Sequence, residues 1–190
     1  MPESITALTP QSSLPPGSAD LADELQLSVL PSRAVVQLRV AARSLTTIGS
    51  VRIGVRELSE PMNSSAGDDP ANCRLAPDTW LVISSRHDAG ELEDMVNKAC
   101  TRRSCAVIDL SDSCVTLALQ GPRAIEVLAR GCGLDLAGAA AGINFCSHTR
   151  FAQLAVVIRR TSAERFEFIV DRSTAQYLYD WIQDAASGLD

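Results

Sequence analysis

Apolar and polar positions alternate over residues 34–41 (AVVQLRVA), the pattern of a strand with one buried face. A second run, VRIGV at 51–55, and a third, DTWLVIS at 78–84, read the same way. The period then changes. In AGELEDMVNKACTR, Leu92, Met95, Val96 and Cys100 fall on one face of a helix. CAVIDL (105–110) and CVTLAL (114–119) predict two strands with Ser-Asp-Ser turning between them, and PRAIEVLARG predicts a helix. One further strand region covers 146–159 (CSHTRFAQLAVVIR) and another 165–171 (RFEFIVD), before a last helix from Thr174 to about Ala186.

Two stretches break the pattern. Residues 1–29 hold Pro2, Pro10, Pro15 and Pro16 among many serines, and predict an extended or disordered arm. SEPMNSSAGDDPANC at 59–73 is rich in turn formers and predicts a loop.

The chain also repeats itself. WLVISSRHDAGELEDMVNKA (80–99) aligns without gaps on FEFIVDRSTAQYLYDWIQDA (166–185). Ile83/Ile169, Arg86/Arg172, Ala89/Ala175, Leu92/Leu178, Asp94/Asp180 and Ala99/Ala185 are identical pairs. A weaker echo sets VQLRVAARSL beside VTLALQGPRA. These repeats predict a single unit over 30–188 made of two related halves, about 30–108 and 109–188. Each half is strand, helix and strand pieces with helices covering one sheet face. The fold class is α+β, with two ferredoxin-like halves and antiparallel sheets.

Composition narrows the function. The chain has 190 residues, 46% hydrophobic and 21% charged, as in globular proteins, and only 4% aromatic. Its core must therefore be aliphatic. The net charge of −6 and the lack of a Lys/Arg cluster beyond pairs such as Arg102-Arg103 argue against nucleic acid. The N-terminus has no signal-peptide pattern and no apolar run reaches the ~18 residues of a membrane span, so a cytoplasmic location is expected. Cys73, Cys100, Cys105, Cys114, Cys132 and Cys146 sit mostly in apolar stretches and read as free thiols.

Candidate chemistry is sparse. Cys100 and Cys105 lack the C-x₂-C spacing of many zinc sites, and Cys146 and His148 form a C-x-H that needs other ligands to hold a metal. There is no G-x-S-x-G elbow, and His87 and His148 alone could serve as imidazole bases. His87 stands in a polar turn, and Cys146/His148 carries no mark of a lowered thiol pKa. Neither G-x-G-x-x-G nor G-x-x-x-x-G-K-[ST] occurs. GCGLDL reads as a helix end, and AGAAAGIN brings no phosphate partner. Asp109 and Asp112 could act as an acid–base pair, although an Asp at a strand end more often makes the turn. ALQGPRAIEVL (118–128), with Arg123 beside a Gly-Pro turn and a helix N-terminus, has the look of an anion grip but reads better as a structural bend. Gly121 makes the turn, Pro122 takes the first helical position and Arg123 is expected on a solvated or subunit-facing edge.

Read together, AVIDLSDSCVTLALQGPRAIEVLARGCGLDL resembles the folate-binding fold of the glycine-cleavage aminomethyltransferase (T-protein) group. The chain is more similar to the gamma-subunit family of heterotetrameric sarcosine oxidase. RLAPDTWLVIS (74–84), the Asp-x-Ser…Gly-Pro-x-Ala block (109–124) and FEFIVDRSTAQYLYDWIQDAA (166–186) carry the resemblance. Ala76 stands where that family usually has Gly, and Ser113-Cys114 follows Asp112 where basic residues are common. A related complex, such as an N-methylglutamate dehydrogenase, or a stand-alone aminomethyltransferase-like protein is the alternative.

The resemblance implies a non-catalytic subunit that supports the flavin-containing complex and packs chiefly on its alpha subunit, beside beta and delta subunits. That complex demethylates sarcosine oxidatively to glycine, with tetrahydrofolate as one-carbon acceptor and O₂ yielding peroxide. FAD, FMN, NAD and zinc are expected in the other subunits. No catalytic, cofactor-binding or metal residue is expected in this chain.

Overall fold

A computed structural model describes residues 14–21, 24–45, 51–53, 56–58, 61–101 and 103–189. Two antiparallel sheets dominate it. The first has the order β6-β7-β8-β3-β9, formed by Ser64–Ala66, Ala71–Ala76, Thr79–Ser84, Ala34–Val40 and Cys105–Asp109. The second has the order β1-β2-β10-β13-β12-β11, formed by Gly17–Asp20, Gln26–Val29, Cys114–Gln120, Arg165–Asp171, Leu154–Ser162 and Cys146–Phe151. A small β4–β5 pair, Arg52–Ile53 and Arg56–Glu57, stands apart in the 51–57 region. Helices α1 (Ala89–Ala99), α2 (Ala124–Gly131) and α3 (Ala175–Ser187) complete the architecture.

Both faces of each sheet are used. Trp80 and Val82 of β8 join Val36 and Leu38 against Leu92 and Val96 of α1. Their neighbours Leu81 and Ile83 point the other way, toward Cys146, Val157 and Ile169 of the second sheet. Phe166, Phe168 and Val170 of β13 pack on Val127 and Leu128 of α2 and on Leu178 and Ile182 of α3. The strict two-residue alternation of side chains sends successive residues to different cores. Helices therefore lie outside, and the two sheets face each other inside. The start of α1 is fixed locally: Asp88 accepts from Glu91 N–H at 2.8 Å while Glu91 Oε2 accepts from Asp88 N–H at 3.2 Å, a capping box.

The repeat is structural. β8–α1 and β13–α3 correspond, and β3 pairs with β8 as β10 pairs with β13. The weaker echo is two residues out of register, however. Val36 faces Val82 and Leu117 faces Phe168, so Val36 corresponds to Leu117 rather than to Val115. A two-residue slip preserves which face each side chain uses, so sequence similarity alone could not detect it.

Three expectations are corrected. The predicted arm at 1–29 is not an arm where it is described: β1 and β2 lie in the second sheet, and Leu25, Leu27 and Val29 are buried there. Residues 1–13 lie outside the described residues. The alternation LQLSV was present but stood behind Pro/Ser-rich composition. The strand region 146–159 is a hairpin that turns at Ala152 and Gln153, whose φ values of 49° and 69° are those of a tight primed turn. The turn has neither Asn nor Gly to announce it. Finally, the polar stretch 59–73 contains β6 and the start of β7, paired as Ser65↔Cys73.

Candidate functional site

The layer between the sheets is where the two halves meet. Its middle is apolar, with Val35, Cys73, Leu81, Ile83, Cys146, Val157 and Ile169 buried together. Cys146 Sγ donates to Ser64 O at 3.0 Å, and its hydrogen bond with Cys73, reinforced by burial, pushes the thiol well above its ordinary pKa. Such a thiol stays protonated and is no nucleophile. His148 is on the same face of β11 two residues away, as the strand period requires, but at the exposed rim.

At one end the layer is closed by charge. Arg33 Nη1 donates to Glu167 Oε2 at 3.0 Å, with the Glu167 side chain only 5% exposed. At the other end it opens into a cleft of about 230 Å³. Gln37, Leu75 and Leu81 line it from the first sheet, and His148, Val157 and Asp171 from the second. Cys114 also lines it, its thiol pushed up to about 11 by burial, with Asp171 adding to the effect. The Ser173 hydroxyl and backbone N–H hold the Asp171 carboxyl below its usual value, at 2.5 and 2.8 Å. The cleft thus presents one ionised carboxylate, one exposed imidazole and apolar walls.

Tetrahydrofolate does not fit this cleft. Small-molecule sites usually enclose about 300–1,000 Å³, and the one carboxylate among the lining residues would repel the acidic tail of a folate. A single protein side chain is the better match in size.

The other sequence candidates are dispersed. Asp109 accepts from Ser111 N–H at 2.9 Å and from its hydroxyl at 2.6 Å, a turn-making role. Asp112 points instead to Arg172, at 3.8 Å. Cys100 is pushed up to about 11, first by burial and then by the neighbouring Cys105. No group of three or more metal-ligating side chains exists among the described residues. Arg123 forks onto Glu126, with Nε–Oε1 and Nη2–Oε2 both 3.0 Å, so the bend before α2 holds its arginine internally. The helix proper begins at Ala124, and Pro122 sits in the turn rather than in the first helical turn.

One cluster went unnoticed in the sequence. Asp69 accepts from the hydroxyls of Ser84 and Ser85 and from Ser85 N–H at 3.0 Å, and Ser84 Oγ lies 2.9 Å from His87 Nδ1. Ser84 stands between carboxylate and imidazole, its hydroxyl donating to Asp69, and is itself 1% exposed. This order cannot pass the serine proton to histidine, as a nucleophilic triad must. The cluster instead ties the β6–β7 connection to the end of β8.

Burial raises the Asp69 pKa, but the serine hydrogen bonds and Arg86 outweigh it, and the net shift is downward. A carboxyl lowered in the folded state stabilises above its unfolded pKa and loses that contribution as pH falls through the folded value. Asp69→Ala should therefore cost about 1–3 kcal/mol at neutral pH. The gap to wild type should close as pH drops below about 4. Denaturant melts at pH 7 and about pH 2.5 check this; a gap that does not depend on pH sinks the assignment.

The model of the sarcosine oxidase, gamma subunit family matches residues 51–188. The gamma subunit of sarcosine oxidase from Corynebacterium sp. strain U-96 is 30% identical over 113 residues, 60% of this chain and 54% of that protein. The gamma subunit from an Arthrobacter species is 31% identical over 124 residues, 64% of this chain and 59% of that protein. The matched region thus spans little more than half the length of these relatives. In three dimensions the chain is similar to a chain of heterotetrameric sarcosine oxidase from Corynebacterium sp. U-96, solved with pyrrole 2-carboxylate. The TM-score is 0.75 at 25% identity, over 90% of each chain. Aminomethyltransferase T of the glycine cleavage system from Bartonella henselae shares the fold, with a TM-score of 0.62 and 18% identity over 81% of this chain and 44% of that one.

Proposed function

We infer a function from one premise: the chain belongs to the sarcosine oxidase gamma subunit family. It is a non-catalytic subunit that supports assembly of a heterotetrameric oxidase with alpha, beta and delta partners, and the alpha subunit is its main contact. The complex demethylates sarcosine to glycine with tetrahydrofolate accepting the one-carbon unit, and FAD, FMN, NAD and zinc reside in the other subunits. The observation that carries this reading is the match over 90% of both chains to a chain of a heterotetrameric oxidase. It is supported by chemistry: burial pushes the cleft's Cys114 thiol up to about 11, which keeps it protonated at neutral pH. The cleft is sized for a partner's side chain.

The shared fold with aminomethyltransferase T motivates a second reading, a stand-alone folate-binding protein. The small acidic cleft weighs against it. Co-expression with the three partner genes separates the two. The tagged chain is expected to bring down a yellow, flavin-containing complex, and omission of the chain to cut the yield of that complex severely. An oxidase that assembles and turns over normally without this chain overturns the first reading. Tight tetrahydrofolate binding by the isolated chain establishes the second.

A further inference from the structure

The two sheets correspond strand for strand except at one edge. β3 matches β10, β8 matches β13, β7 matches β12 and β6 matches β11 in position. β9, at the edge beside β3, matches β2, which lies beside β10. In the second sheet β1 then covers β2, while in the first sheet β9 is the last strand. The first sheet thus lacks a counterpart to β1 among the described residues.

The open slot has a defined geometry. Leu110 N–H reaches Val35 O and Ala41 N–H reaches Ser104 O, both at 2.8 Å, so Ser104, Ala106, Ile108 and Leu110 turn their backbone groups toward β3. By the alternation of an antiparallel ladder, Cys105, Val107 and Asp109 direct theirs outward. Ile108 is 48% exposed, one of the few large apolar side chains on the surface. An uncovered edge of this kind invites strand pairing unless something covers it.

We propose that the outer edge of β9 docks an extended segment of a partner subunit, added as a strand antiparallel to β9. The proposal rests on the reading of the chain as an assembly subunit. β1 supplies the template: superposing the pairings of β2 and β9 places Gly17, Ser18, Ala19 and Asp20 of β1 opposite Asp109, Ile108, Val107 and Ala106. The occupant therefore spans at least four residues, and the exposed Ile108 favours an apolar side chain opposite it, where β1 has Ser18. A basic side chain at its start suits the exposed carboxylate of Asp109. Main-chain bonds supply affinity and the alternate side chains supply specificity, as in other strand additions.

Residue-resolved amide exchange on the isolated chain and on the assembled complex tests this. Val107 and Asp109 should exchange at least about tenfold more slowly in the complex, with Ala106 and Ile108 protected in both states. Ile108→Lys should leave the melting temperature of the isolated chain within about 2 °C, since the site is exposed, and reduce complex yield about tenfold. A complex that forms while Val107 and Asp109 exchange freely overturns the proposal and leaves the assembly reading intact. Failure to form any complex overturns both. Protection that rises with concentration of the isolated chain assigns the edge to a second copy. Protection in the dilute chain that is lost on deleting residues 1–13 assigns it to this chain's own N-terminus. Either result overturns the proposal.

Discussion

Gly121→Ala is expected to destabilise the isolated chain by about 3 kcal/mol and to lower its melting temperature by roughly 6–12 °C. Gly121 adopts φ = 141°, a region that L side chains rarely enter, and an added Cβ would stand 2.5 Å from Glu24 O and 3.0 Å from a Leu25 methyl. Neither neighbour can yield cheaply. Leu25 is 1% exposed in the core, and Glu24 ends the turn that feeds β2 into the second sheet. Gly121 N–H is bound to Glu164 O at 3.0 Å and its carbonyl accepts from Ala124 N–H at 3.1 Å, so the bend is held from both sides. A thermal melt of the variant checks this, and a shift under about 2 °C would falsify the strained-turn account. The mechanism is specific: the bend after β10 is where the N-terminal hairpin crosses, which leaves no room for a methyl group.

The second large effect lies between the sheets. Glu167→Ala removes one partner of the Arg33–Glu167 pair and leaves a guanidinium that is only 20% exposed without its carboxylate. Breaking a buried pair this way usually costs about 3–5 kcal/mol, and the residual exposure of Arg33 places the cost near the lower end. Arg159 faces Glu167 across the β12–β13 ladder and would feel the same loss. The double variant Arg33→Met, Glu167→Leu should recover most of the stability, because apolar residues of similar size relieve the buried charge. If the double variant is as unstable as Glu167→Leu plus Arg33→Met summed, the two side chains are not energetically coupled. Arg33 precedes β3 of the first sheet and Glu167 lies in β13 of the second, so this pair spans the two halves.

Much of the fold was legible because its strands are amphipathic in a particular way. Trp80, Val82 and Leu81, Ile83 are apolar on both faces, and the continuous run TWLVIS announces a strand covered on each side. The repeat of β8–α1 in β13–α3 was legible from identical pairs such as Leu92/Leu178, whose burial against their own sheets explains why both positions are leucine. The site was less legible. Asp69 and Ser84 are 15 residues apart, and Arg33 and Glu167 are 134 apart. Single charged or hydroxyl residues at such separations carry no periodic signal. The second Asp-x-Ser turn, Asp171-Arg172-Ser173, has the same spacing as Asp109-Leu110-Ser111 and was the one available clue to the cleft rim.

Local order was written in the chain: which residues form strands, which helices follow them, that two halves resemble each other, and to which family the pattern belongs. Those properties depend on side-chain period, turn chemistry and propensity, all of which act over a few residues. Which strands become neighbours follows from long-range burial instead. After α3 no strand follows within the described residues, and β2 from the other end of the chain takes the place that β9 holds in the first half. The choice is made by burial of Leu25, Leu27 and Val29 against α2, α3 and β10, contacts that link residues nearly a hundred positions or more apart. A period of two records that one face of a strand must be buried; it does not record against what.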